Sequence, residues 1–157
     1  DVVRKVKAKV RTPVIVKLSP NVTDITKLAE TAAEAGADAL TAINTLRAIA
    51  IDVETLQPIL SNKRGGLSGP AVKPVALRCV YDIYEKVKVP LIGCGGITDW
   101  RDAVEFILAG ASAVQIGTAI ALKSPAVFRV INRGISAYLK KKKFGSVKEL
   151  VGLAHRN

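Results

Sequence analysis

The sequence predicts an α/β fold in which four parallel strands alternate with helices, half of what a (β/α)8 TIM barrel needs. Three observations carry this expectation: four short, continuously apolar runs, helical stripes between them, and an internal repeat of one strand–helix–strand plan. Continuous rather than alternating apolar character is expected of a strand covered on both faces. A closed barrel takes eight strands over about 250 residues. The 157 residues of this chain supply four.

The opening stretch, Val2 to Val10, has the look of the tail of a helix. The first strand is Val14–Leu18. After Asp24, residues Ile25, Leu28, Ala29, Ala32 and Ala33 fall on one helix face, and Gly36 supplies the stop. The second strand is Ala39–Ile43. A long interruption, residues 45–72, follows, and loops in that position build the active sites of barrels. Its 61–70 portion is rich in loop formers and cations, which suits a lid, a cofactor-contacting loop or a solvated connection. Residues Ala76, Cys79, Val80, Ile83, Tyr84 and Val87 make the next helical stripe, before the strand Leu91–Cys94. A third helix starts near Thr98 or Asp99, carries Ala103, Val104, Ile107 and Leu108, and ends at Gly110. The last strand is Ala113–Ile116. Residues 124–142 then predict a fourth helix and 146–155 a short terminal one. The repeat runs through this order: Ala35-Gly36-Ala37-Asp38-Ala39-Leu40 returns as Ala109-Gly110-Ala111-Ser112-Ala113-Val114, and Thr12-Pro13-Val14-Ile15 as Val89-Pro90-Leu91-Ile92.

Composition sets the outer bounds. The chain is 49% hydrophobic, enough for a core, and its formal net charge is +11. No apolar run reaches the roughly 18–20 residues of a membrane span, and the first residues show no apolar segment of a secretion signal. A soluble, cytoplasmic protein is expected. Cys79 and Cys94 have no metal or disulfide spacing and suit a reducing compartment. Methionine is absent, which points to a chain that is processed, trimmed or part of a longer one. The positive charge fits either a phosphate-bearing or acidic partner or a solvated surface. No aromatic residues interleave the basic ones, so nucleic acid is not the expected partner.

The strand ends collect the polar and glycine residues that could carry chemistry. The first gives Lys17, Ser19 and Asn21, the second Asn44 and Thr45, the third Gly95-Gly96, and the fourth Gly117-Thr118. The last two positions are where barrels bind phosphate with backbone N–H groups and a helix N-terminus; a tight strand-to-helix turn is the plainer reading of Gly95-Gly96. Lys17 sits in an apolar strand, where a buried ammonium needs an anion or must reach out to solvent. Asn44-Thr45 can bond an amide-and-carboxylate ligand or simply form a turn. His155, the single histidine, and Cys79, on an apolar helix face, are expected to be structural, and Asp24, Asp99 and Asp102 to be helix caps and first-turn charges. No metal cluster, carboxylate pair or Ser/His/Asp set is present in the pattern.

Five ordered motifs then resemble one family. Val16-Lys17-Leu18-Ser19-Pro20-Asn21, Ile43-Asn44-Thr45, Gly65-Gly66-Leu67-Ser68-Gly69-Pro70-Ala71-Val72-Lys73-Pro74, Gly95-Gly96-Ile97 and Ile116-Gly117-Thr118-Ala119 are similar to dihydroorotate dehydrogenases, most of all to the catalytic subunit of the NAD-linked class 1B. The resemblance implies the C-terminal half of the barrel, residues 1–157 being one partial domain whose N-terminal half lies elsewhere. It implies FMN contacts at Lys17, Ile43, Gly69, Gly95, Gly96, Gly117 and Thr118, and dihydroorotate or orotate contacts at Asn44 and Thr45. The reaction it implies is FMN-dependent oxidation of dihydroorotate to orotate in pyrimidine (UMP) biosynthesis. Electrons would leave through a separate subunit carrying FAD and an iron–sulfur cluster, with NAD as acceptor, in a homo- or hetero-oligomer. The family's catalytic base is a cysteine on a loop of the other half, so the chain alone is expected to be inactive. Two other readings stand beside this: another FMN barrel such as a tRNA dihydrouridine synthase, against which the Gly65–Pro74 loop argues, and a non-catalytic phosphate-binding half-barrel.

Overall fold

The computed structural model describes residues 1–156. In chain order the elements are α1 (Val2–Lys7), β1 (Ile15–Leu18), α2 (Ile25–Glu34), β2 (Ala39–Ala42), β3 (Leu46–Ala48), β4 (Ile51–Asp52), β5 (Gln57–Pro58), β6 (Gly65–Leu67), α3 (Lys73–Lys86), β7 (Leu91–Cys94), α4 (Trp100–Leu108), β8 (Ala113–Gln115), α5 (Ala119–Lys123) and α6 (Val127–Lys142). The main sheet has the order β1-β2-β7-β8, all parallel. Neighbours in space are therefore successive strand–helix units, as in half of a (β/α)8 barrel.

Register assigns the two faces. Lys17, Thr41, Ile92 and Ala113 stand in one row across the sheet, and Leu18, Ala42, Gly93 and Val114 in the next. The second row faces the helices. A Cβ on Gly93 would come 2.5 Å from Phe106 of α4, so the glycine makes room for that fully buried ring. Around it pack Leu40, Val80, Ile83 and Leu91, all at 1% exposure or less. Burying each such side chain stabilises the fold by about 1.5–3 kcal/mol. α2 packs on α3, α3 on α4 and α4 on α6. This layer uses the predicted stripes, with Ala29 and Ala32, then Cys79 and Val80, then Ala103 and Ile107 turned inward. Leu28 does not join its stripe: it is 41% exposed.

The opposite face corrects the expectation that both faces are covered. β2 is buried throughout, but the outer strands are half open, with Ile15 52% exposed and Lys17 and Gln115 exposed. Two further corrections concern boundaries. The interruption at 45–72 is not structureless, because β3 pairs with β6 and β4 with β5 as two antiparallel ribbons. The helix expected at 124–142 forms as α6, starting at Val127, and a short helix that was not expected, α5, precedes it; Ser124, whose φ of 65° breaks the helical path just before Pro125, divides the two. The terminal helix is two short 3-10 turns, Val147–Leu150 and Leu153–His155.

The caps behave as expected. Asp24 accepts from the Thr26 amide at the start of α2, and Asp99 and Asp102 form a capping box on α4. Cys79 is buried, and burial pushes its thiol pKa up. His155 is structural: its ring stacks on Tyr81 at 3.7 Å and Nε2 lies 3.1 Å from the Ala109 carbonyl. Among the described residues no helix is long and apolar enough to cross a membrane.

Candidate functional site

A parallel sheet puts the C-terminal ends of all its strands on one rim, so the residues that follow β1, β2, β7 and β8 converge. A cavity of about 270 Å³ lies there. Its lining includes Lys17, Ile43, Asn44, Thr45, Gly69, Gly95, Gly96, Gly117 and Thr118, every residue singled out from the sequence as a contact. The remaining lining is apolar or neutral, apart from Cys94, and contains no carboxylate or imidazole.

The glycine turn after β7 is shaped by backbone, not by side chains. Gly96 has φ +74°, and a Cβ there would come 2.7 Å from the Lys73 amide nitrogen and 2.9 Å from the Gly69 carbonyl. Any other residue would therefore be both strained and obstructed. Among the described residues, the amides of Gly95, Gly96, Gly117 and Thr118 donate to no loop or cap carbonyl. A Cβ on Gly117 would meet nothing within 4 Å, so this side of the backbone is open. Free amides beside open space are the donor set an anionic phosphate requires. The α5 helix beyond them has five residues, so the amides rather than a helix dipole are the useful feature.

Two tertiary links hold the rim in shape. The loop carrying Gly69 is tied to the last strand by the Thr118 hydroxyl, which donates to Ser68 Oγ at 2.8 Å. The glycine turn is tied to α3 and α4 through Lys73, whose ammonium lies 2.7 Å from Asp102 and 3.1 Å from Glu105. Asp102 Oδ2 in turn accepts from the Thr98 amide at 2.8 Å and the Thr98 hydroxyl at 2.9 Å. Burial opposes ionisation of Asp102, yet Lys73 and Thr98 hold its carboxyl below the ordinary 3.8. Asp102, offset by burial, holds the Lys73 ammonium above its ordinary 10.5.

Of the two readings of Lys17, the structure shows the lysine reaching solvent: it is exposed on β1, an edge strand of this sheet, with Nζ 3.9 Å from Cys94 Sγ, and it lines the cavity. Asn44 partly bears out the plainer reading, since its Oδ1 accepts from the Thr45 amide at 2.8 Å, but both residues face the cavity.

Ser68 and the Lys73–Asp102 ion pair were not assigned roles from the sequence; Asn21 stood only among the strand-end residues, and Asp102 only as a cap or first-turn charge. Asn21 donates to the Thr45 carbonyl and accepts from the Arg47 amide, both at 2.9 Å, and so braces the Asn44-Thr45 segment from β1. Ser68 and Lys73 lie inside a recognised motif, which was their available signal. Their partners are 50 and 29 positions away.

Comparison with known proteins adds the following. The family profile described as "Dihydroorotate dehydrogenase" matches residues 1–139. The chain is 62% identical over 153 residues to the "Dihydroorotate dehydrogenase B (NAD(+)), catalytic subunit" of Thermococcus kodakarensis, covering 98% of this chain and 51% of that one. It is 60% identical over 155 residues to the protein of the same name from Pyrococcus furiosus, covering 99% and 52%. For that of Methanothermobacter thermautotrophicus the identity is 56% over 155 residues, covering 98% and 51%. The chain thus spans about half the length of the curated relatives it matches. With its motifs set around one cavity and its sequence aligned almost end to end with these relatives, the chain belongs to the dihydroorotate dehydrogenase family.

Proposed function

We propose that this chain supplies the FMN side of an enzyme that oxidises dihydroorotate to orotate on the route to UMP, working in the cytoplasm. The observation that carries the reading is the meeting of Lys17, Asn44-Thr45, Gly95-Gly96 and Gly117-Thr118 in one cavity at one rim of the sheet. FMN, when bound, supplies the hydride acceptor. The protein's part is binding, orientation and electrostatics. The amides of Gly95, Gly96, Gly117 and Thr118 hold the phosphate, and Ile43 and Gly69 contact the cofactor. Lys17 would supply a cation able to stabilise negative charge on the reduced ring. Asn44 and Thr45 hold the amide and carboxylate of the substrate.

The cavity lining has no carboxylate or imidazole to take the substrate proton, and none to activate its one thiol, Cys94. That base belongs to the complementary half of the barrel, which closes against the open face and the free edges of β1 and β8. The relatives' names, catalytic subunits of an NAD(+)-linked enzyme, support a separate partner subunit; the resemblance of the motifs adds that this partner would carry FAD and an iron–sulfur cluster and pass electrons to NAD, within an oligomer.

Flavin titration tests this. A yellow, stoichiometric FMN complex with micromolar affinity is expected, and dihydroorotate should bleach it once the complementary half is added. Absence of FMN binding in the reassembled protein, or bleaching that ignores dihydroorotate, would refute the reading.

A further inference from the structure

A second cavity, of about 360 Å³, lies on the other side of Asn44 and Thr45, which line both. Its character differs from the first. Ser19 and Asn21 border it from the β1 side, and Arg47 and Arg64 from the β3–β6 ribbon. The ribbon explains why residues 17 positions apart come together: Arg47 pairs across to Gly66, and Arg64 directly precedes β6. Asn21 fixes the Arg47 backbone through its amide at 2.9 Å. Among the described residues neither guanidinium pairs with a carboxylate, and no acidic residue lines either cavity. Both arginines are exposed and border one polar concavity without a carboxylate, so an anion placed there meets two cations at once. A guanidinium fork matches a carboxylate in two parallel hydrogen bonds.

We propose that this second cavity is a carboxylate-binding subsite, in which Arg47 and Arg64 hold a small anionic ring beside Asn44 and Thr45, next to the first cavity. The choice of orotate as ligand rests on the function proposed above; the cationic cavity does not. The subsite draws an anionic ring toward the wall that the two cavities share, and discriminates against neutral rings of the same size.

The full chain is titrated with orotate and with uracil, a neutral ring lacking the carboxylate, following affinity by calorimetry and the arginine side-chain N–H signals by NMR. Orotate should bind saturably, shift the Arg47 and Arg64 signals and weaken with added salt, while uracil does neither. Arg47→Gln and Arg64→Gln should each lower orotate affinity about tenfold, the scale of one charge-assisted contact. Arg47→Lys and Arg64→Lys, which keep the charge but lose the fork, serve if a Gln variant does not fold, and should also bind more weakly than the unsubstituted chain. Equal binding of uracil, or a double Gln variant with undiminished orotate affinity, overturns the subsite. An FMN titration runs beside these. Arginine-dependent orotate binding without FMN binding upholds the subsite while counting against the flavin reading. FMN binding with orotate indifferent to both arginines overturns the subsite alone.

Discussion

Gly96 shows how tightly a single position can be specified. Its φ of +74° excludes most residues, and its missing side chain leaves space that the Lys73 backbone and the Gly69 carbonyl occupy. Gly96→Ala is expected to cost roughly 1–3 kcal/mol through backbone strain, and to weaken FMN binding more than tenfold by moving the amides that face the cavity. Thermal denaturation and flavin titration read the two effects separately. Lys73 acts one step further out. It touches no expected ligand, but through Asp102 and Thr98 it fixes the turn that does. Asp102→Asn keeps the shape and removes the charge that the ammonium needs. It should lower stability by about 1–3 kcal/mol, the cost of leaving a half-buried charge poorly paired, and loosen FMN several-fold. If stability falls and FMN affinity is unchanged, Lys73 and Asp102 have no positioning role.

At the scale of elements, helices α3, α4 and α6 depend on small residues that admit aromatic rings. Trp100 of α4 occupies the space beside Gly134 of α6, and Tyr84 of α3 the space beside Gly110 and Gly152. A Cβ at Gly134 would overlap the indole, so Gly134→Ala should force the two helices apart at about 1–3 kcal/mol, less the roughly 1 kcal/mol that alanine contributes to helix propensity. Trp100 is the single tryptophan, so its fluorescence reports this contact directly. An unchanged emission maximum with unchanged stability would show that the contact bears no load. The ribbons β3–β6 and β4–β5 illustrate the limit of sequence reading at this scale. Their strands are two or three residues long, too short for period-two alternation to stand out, and they sit in a stretch whose glycines and cations suggested loop.

For the molecule as a whole, pH dependence follows from the carboxylates. Asp24, Asp38, Asp52 and Asp102 all have pKa values held below 3.8 in the folded chain, by Thr26, Lys7, the Glu54 amide, and Lys73 with Thr98 against burial, respectively. Groups of this kind contribute stability above their unfolded value and lose it as pH falls through the lower folded value. Lys73, held above 10.5, does the reverse: its contribution is present below that value and fades as pH rises through the folded one. The melting temperature should therefore be level between about pH 5 and 9, fall above that as the Cys79 thiol, held neutral by burial, would ionise in the unfolded chain, and drop below pH 4. Asp102→Asn should flatten the acid limb; an acid limb unchanged in that variant would remove Asp102 from the account.

The sequence alone determined the four parallel strands, the helices between them, their caps and the nine residues expected at the rim. The strands, helices and caps follow from local signals: continuous apolar runs, 3.6-residue stripes, turn glycines and an internal repeat; the rim residues' contact roles, and Ile43 and Gly69 altogether, come from the resemblance of the motifs to a family. Only the tertiary structure decided that Lys17 is open to solvent, that Lys73 reaches Asp102, that Ser68 meets Thr118 and that Arg47 and Arg64 share a cavity. Each of these depends on which segments become neighbours in space. Exposure of a strand residue depends on what covers its face, and an ion pair on a partner that sequence spacing does not mark.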